Sequence, residues 1–251
     1  MIQFFRKIRQ SLLSDGKIGK YLKYAVGEIV LVVIGILIAL QLNNWNENRK
    51  EDRQLKGYLH KISQNVSQDI LQINSLKTRR DSVRAAATRS GQALMRRDFS
   101  DFSNILPGSI VVQEFYFIPD KSGFEALKNS AFLGKINNTK VDSLLTSYYR
   151  LVEKTHQSEL SYNNFIENME AQINSEVDPT ALEIIGHKVM KGEKISANDL
   201  EDALPLIHNH AFKMSVFRTM DDQSYVRNYA GLIELGNALV QEIDIFSEQL
   251  N

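Results

Sequence analysis

Apolar residues recur at steps of three and four along most of this chain. Leu55, Leu59, Ile62, Val66, Ile70, Ile73 and Leu76 trace one face of a helix predicted from Asn46 to about Met95. Val141, Leu144, Leu145, Tyr148, Leu151, Val152, Leu160, Tyr162, Phe165, Met169 and Ile173 mark a second long helix, from about Thr139 to Ser175. Tyr225, Tyr229, Leu232, Ile233, Leu239, Ile243, Phe246 and Leu250 mark a third, over Asp222 to Leu250. Shorter helices are predicted at Ser122–Lys128, from Ser196 to Pro205, and across His208 to about Met220. In the first of these, Ser122 is read as the N-cap and Glu125 as its reciprocal partner. Asp178-Pro179 ends the second long helix or begins a loop, and residues 180–197 carry no clear period. Between the first two long helices the period breaks. Asn104–Ser109 reads as a turn, and Ile110–Ile118, rich in β-branched and aromatic residues, as a short extended segment packed across the helices. No amphipathic helix can bury its stripe alone, so the pattern implies an all-α antiparallel bundle with a short irregular or extended insertion.

One stretch has no polar face. Residues 24–42, YAVGEIVLVVIGILIALQL, are apolar apart from Glu28 near the start and Gln41 near the end. A hydrocarbon core of roughly 30 Å needs about 20 helical residues to cross it. Tyr21 and Tyr24 at one end and Trp45 at the other suit the two headgroup levels. A single transmembrane helix over 21–45 follows. Arg6, Lys7, Arg9, Lys17, Lys20 and Lys23 precede it against one acid, Asp15, whereas the downstream flank mixes both signs. Basic excess stays in the cytoplasm. Residues 1–20 are therefore expected inside, with Ile2–Leu13 as an amphipathic interfacial helix. Residues 46–251 are expected in the periplasm as a helical domain. Two other uses of such a stretch compete. A cleaved signal peptide lacks so long a basic region and ends in small residues, unlike Asn43–Asn46. A buried helix of a soluble domain has no need of the one-sided basic flank.

Composition narrows the function. The formal net charge is zero, so no overall field favours nucleic acid. There is no cysteine, which excludes disulfides, thiolate metal sites and a cysteine nucleophile. The four prolines, Pro107, Pro119, Pro179 and Pro205, leave long uninterrupted stretches for helices.

With those residues in view, the chain resembles a family of bacterial single-pass membrane proteins defined only as a domain of unknown function. The matching segments are FFRKIRQSLL near the start, YLKYAVGEIVLVVIGILIALQLNNWNE through the span, and FEALKNSAFLGKINNTKVDSLLTSYY further on. The second carries the signature GEIxLVVIGILIALQxNNWNE. In the third, Ala131 stands where a glycine is usual. The resemblance implies a single-pass inner-membrane protein with an exported helical domain, and transfers no catalytic residue. It also draws attention to Glu28, Asn43, Asn44 and Trp45 as contact residues.

Chemistry is sparse elsewhere. A carboxylate in a membrane helix faces protein or water. Glu28 is read either as an interhelical or proton-linked contact or, more simply, as a group near the inner boundary that pairs with Lys20, Lys23 or a lipid amine. Gly35 and Ala39 form a small-xxx-small pair that lets helices approach. These positions define the expected contacts with membrane lipid and with a second copy or another membrane protein. The arginines of residues 79–97, with Tyr148, Tyr149 and Tyr162, offer an alternative: a ligand pocket between bundle helices lined by Arg79, Arg80 and those tyrosines. The commoner uses are a solvated basic face and core packing. His208 and His210 are two apart and diverge on a helix, so no metal site is expected. No phosphate loop, nucleophile elbow or HExxH motif occurs. No cofactor is expected. The acids at Asp221–Asp222 and at Asp199, Glu201 and Asp202 suit helix starts. The reading is a non-catalytic membrane protein that presents a helical domain for scaffolding, sensing or complex assembly.

Overall fold

A computed structural model of the chain describes residues 18–98, 105, 111–191 and 193–250. Among these residues the secondary structure is helical, with no β-strand. The helices are α1 (Ile18–Arg96), α2 (Ser122–Lys128), α3 (Leu133–Ile136), α4 (Lys140–Glu176), α5 (Pro179–Met190), α6 (Ala197–His208), α7 (His210–Asp221) and α8 (Ser224–Gln249). The interfacial helix expected over Ile2–Leu13 lies outside the described residues, as does the turn at Asn104–Ser109 except for buried Ile105.

The apolar stretch and the first amphipathic helix are one element. No glycine or proline interrupts the chain from Ile36 to Lys56, so nothing breaks the ladder of amide bonds at Trp45. The chain nonetheless divides into two units, Met1–Lys56 with Leu250–Asn251, and Gly57–Gln249. In the first, the apolar side chains from Ile29 to Leu42 are exposed throughout, and α1 is long and apolar enough there to cross a membrane.

In the second unit α1, α4 and α8 are the long helices. Leu59, Ile62, Val66, Ile73 and Leu76 are buried, as the spacing predicts. The bundle is not simply antiparallel. Asp69 meets Tyr148 and Arg80 meets Glu159, so α1 and α4 run in the same direction. α8 runs against both, since Tyr229 meets Glu159 and Arg80 while Gly236 lies against Val66 and Ile70. The reason is the long connection between α1 and α4, which carries the chain back along the bundle before α4 starts. A smaller core at the far end joins Ala87 and Ala93 of α1 and Ile173 of α4 to Leu206, Ile207, Phe212 and Val216 of α6 and α7.

Helix ends follow side-chain chemistry. Thr139 caps α4 by accepting from the Asp142 amide at 3.2 Å. Ser196 and Asp199 form a capping box on α6. Pro179 takes the first position of α5, where a missing N–H costs nothing. Three expectations need correction. Ser122 is the first residue of α2 and not its N-cap; Lys121 holds that position without a side-chain cap, and the Ser122 amide donates to Asp120 Oδ1 at 2.9 Å. α6 continues through Pro205 to His208, and Asn209 starts α7 by accepting from the Phe212 amide at 2.9 Å. Residues 179–190, without a legible period, are helical.

Candidate functional site

Residues 113–121 form neither helix nor strand and lie as a strap against α1 and α4. Phe115 and Phe117 point inward and are buried, while Tyr116 and Ile118 point outward, the alternation of an extended chain. Such a segment has no ladder of its own, and buried backbone groups must be paired. Helix side chains do this. Asn163 accepts from the Phe115 amide at 3.1 Å and donates to its carbonyl at 2.8 Å. Glu159 Oε2 accepts from the Phe117 amide at 2.9 Å. Asp69 Oδ1 accepts from the Asp120 amide at 3.1 Å. Asn65 accepts from the Gly123 amide at 3.0 Å and donates to Asp120 Oδ2 at 2.5 Å.

Beneath the strap lies Arg80, 4 % exposed. Its Nη2 donates to Asp222 Oδ2 at 2.8 Å, and its Nη1 donates to the Tyr229 hydroxyl at 3.3 Å and stands 3.8 Å from Glu159 Oε1. The Tyr229 hydroxyl in turn donates to Glu159 Oε1. The guanidinium carbon sits 4.4 Å from the Tyr225 ring centre and 5.0 Å from those of Phe115 and Tyr162. A planar, weakly hydrated cation suits such a box of rings and carboxylates. Burial pushes the Glu159 carboxyl above its ordinary value, opposed by the Phe117 amide, the Tyr229 hydroxyl and Arg80. Burial also raises the hydroxyls of Tyr162 and Tyr229, and pushes Tyr225 up to about 12. The cavity beside Arg80 is about 10 Å³, at most room for one water.

A second polar cluster surrounds Asp69, whose Oδ2 accepts from the Tyr148 hydroxyl at 3.0 Å. Burial raises both groups. Tyr149 meets the Tyr148 ring edge-on and stacks on Phe124 at 4.2 Å between ring centres. Its hydroxyl is buried without a hydrogen-bond partner among the described residues.

The sequence-predicted pocket residues thus fall into two groups. Arg80 and Tyr162 meet in the box, and Arg79, exposed, lies over its Phe115 lid at 5.6 Å. Tyr148 and Tyr149 belong to the Asp69 cluster. Periodicity alone missed Asp69, Glu159, Asn163 and Asp222, though a signal existed. Arg80 stands four after Leu76 and three before Val83 on the buried stripe of α1. Glu159 sits likewise between Thr155 and Tyr162 on α4. A polar residue at core spacing is a buried network in waiting.

The expected membrane contacts lie on α1. Gly35 faces open space, Ala39, Asn43 and Asn44 are exposed, and Glu28 is half-buried. Trp45 is 59 % exposed and carries Arg49 over its ring. In the second unit an outward groove of about 450 Å³ lies between the strap and α4. It is floored by Phe117 and Val152 and rimmed by Ile118, Lys121, Glu153 and His156. Among the described residues no group of three His, Asp or Glu side chains is placed to hold a metal.

No curated protein and no solved structure matches the chain. A family pattern does: it matches residues 28–177, from Glu28 in the apolar stretch to the end of α4, and so takes in the strap and both carboxylates that hold it. The chain belongs to this family of unknown function, DUF6090.

Proposed function

We propose that this is a single-pass inner-membrane protein with residues 1–20 in the cytoplasm, 21–45 in the bilayer and 46–251 in the periplasm. It presents its helical domain for scaffolding, sensing or complex assembly rather than for catalysis. One contrast carries this reading. The apolar side chains from Ile29 to Leu42 are exposed, whereas the Arg80 and Asp69 clusters buried in the second unit pair their polar groups with one another, the neighbouring Tyr149 hydroxyl excepted. An exposed apolar helix needs lipid or a partner, and a closed polar interior leaves little room for a substrate between the helices. Lipid, and a second copy or another membrane protein, are the partners that this surface fits, through Glu28, Gly35, Ala39, Asn43, Asn44 and Trp45.

The chain has no cysteine, so single-cysteine variants report topology without background. In cells with a permeabilised outer envelope, an impermeant maleimide labels Ser161→Cys and spares Ser14→Cys until the inner membrane is opened. The reverse pattern overturns the orientation. Recovery of the full-length chain in the soluble fraction without detergent overturns the anchor. A second reading, a periplasmic ligand-binding module, draws on the strap groove of about 450 Å³, a size typical of small-molecule sites. Mass spectrometry of what the purified protein releases on denaturation tests it, and an empty extract removes it.

A further inference from the structure

Trp45 stands one turn beyond Leu42, the last residue of the apolar stretch, and its ring packs into no core. Arg49, four residues on, reaches back toward the apolar end and sets its guanidinium carbon 5.6 Å from that ring's centre. Helical side chains lean toward the N-terminus, so the cation is carried toward the membrane boundary rather than away from it. Its neighbours are otherwise engaged. Lys50 pairs with Glu47 at 3.1 Å, and Arg53 Nε donates to the Arg49 carbonyl at 3.4 Å. A guanidinium held over an aromatic face keeps its N–H groups for other acceptors, and their fork matches two phosphate oxygens. Indole rings settle at the headgroup level, where phospholipid phosphates lie.

We infer that Trp45 and Arg49 together form a binding site for the phosphate of a membrane phospholipid, the ring fixing the guanidinium's depth and the guanidinium taking the phosphate. This rests on the membrane reading above and adds to it a headgroup ligand with named contacts. The site would set the level at which α1 leaves the bilayer.

Trp45 is the chain's one tryptophan, so its fluorescence reports this position alone. The full chain is reconstituted in nanodiscs of phosphatidylcholine or of digalactosyl diacylglycerol, a bilayer lipid without phosphate. Quenching of Trp45 by acrylamide is measured in each, for the parent and for Arg49→Gln. In phosphatidylcholine the parent is protected, and loss of the cation raises the quenching constant by about two- to fivefold, the range a cation–π contact supports. In galactolipid the parent loses that protection and approaches the variant. Equal quenching of parent and variant in phosphatidylcholine, or full protection of the parent in galactolipid, overturns the site. Protection restored in galactolipid by inorganic phosphate overturns its assignment to lipid. Lipids brominated on the upper acyl chain separate the two readings. If they quench Trp45 while the other results fail, the anchor stands without the site; if they leave Trp45 unquenched in every disc, the anchor itself fails.

Discussion

Arg80 decides the interior of the second unit. It takes a core position on α1 that spacing assigns to an apolar side chain, and brings Asp222, Glu159 and Tyr229 in after it. Removing one member of a buried charge group leaves the others uncompensated, which costs about 3–5 kcal/mol. Arg80→Ala is therefore expected to lower the thermal midpoint sharply, read by circular dichroism of the detergent-solubilised chain. Exposed Arg79→Ala is expected to change it little. Glu159 gives a prediction of sign. Its folded pKa is raised by burial, so the folded state favours the protonated carboxyl. The stabilisation this brings is complete below the unfolded value of about 4.3 and is lost as pH rises from there through the folded pKa. Comparing Glu159→Gln with the parent at pH 4 and pH 7 by urea unfolding, the variant gains relative stability at the higher pH. A gap that moves the other way means the Arg80 and amide contacts outweigh burial. The sequence carried this network only as an irregularity. Spacing shows that Arg80 and Glu159 fall on buried stripes, but not that they face each other, because which stripes meet depends on helix direction.

At the scale of elements, the apolar period located α4, α8 and the end of α1 to within a few residues, and the extended character of residues 113–118 was legible from their aromatic and β-branched neighbourhood. The direction of α4 was not legible. Helices in a bundle are expected to alternate when connections are short, and here the strap spends the return journey instead. It does so at a cost in backbone pairing, which Asn65, Asp69, Glu159 and Asn163 meet from outside. Asn163→Ala strips partners from both the amide and the carbonyl of Phe115. A buried unsatisfied group costs about 1–3 kcal/mol, so the variant is expected to lose that much or more. Hydrogen exchange at Phe115 and Phe117 should speed up while the middle of α8 stays protected; uniform acceleration would mean that the strap and bundle open as one. The entry to α2 is held as tightly. A Cβ on Gly123 would lie 2.9 Å from the Ile62 backbone nitrogen and 2.7 Å from Asn65 Oδ1. Gly123→Ala must move backbone against α1 and is expected to cost about 1–3 kcal/mol. Gly134→Ala, in open space on α3, is expected to cost nothing of that kind.

For the whole molecule the consequential fact is that one continuous helix belongs to two units of opposite surface chemistry. The unbroken run of exposed apolar side chains lies before residue 46, and the buried core of the second unit begins on α1 at Leu59. If the core is self-sufficient, a fragment of residues 46–251 keeps all of it, loses the apolar stretch, and needs no detergent. Its polar interior is complete, since Arg80, Asp222, Glu159, Tyr229, Asp69 and Tyr148 all lie within it. The expected outcome is a fragment soluble in plain buffer, with the helical circular dichroism of the described bundle and one cooperative unfolding transition. Arg80→Ala should shift that transition as it does in the full chain. A fragment that aggregates, or that unfolds without cooperativity, would mean that the apolar stretch completes the core of the second unit. The exposed helix would then be no independent anchor, and residues 1–56 would have to be understood as part of the fold.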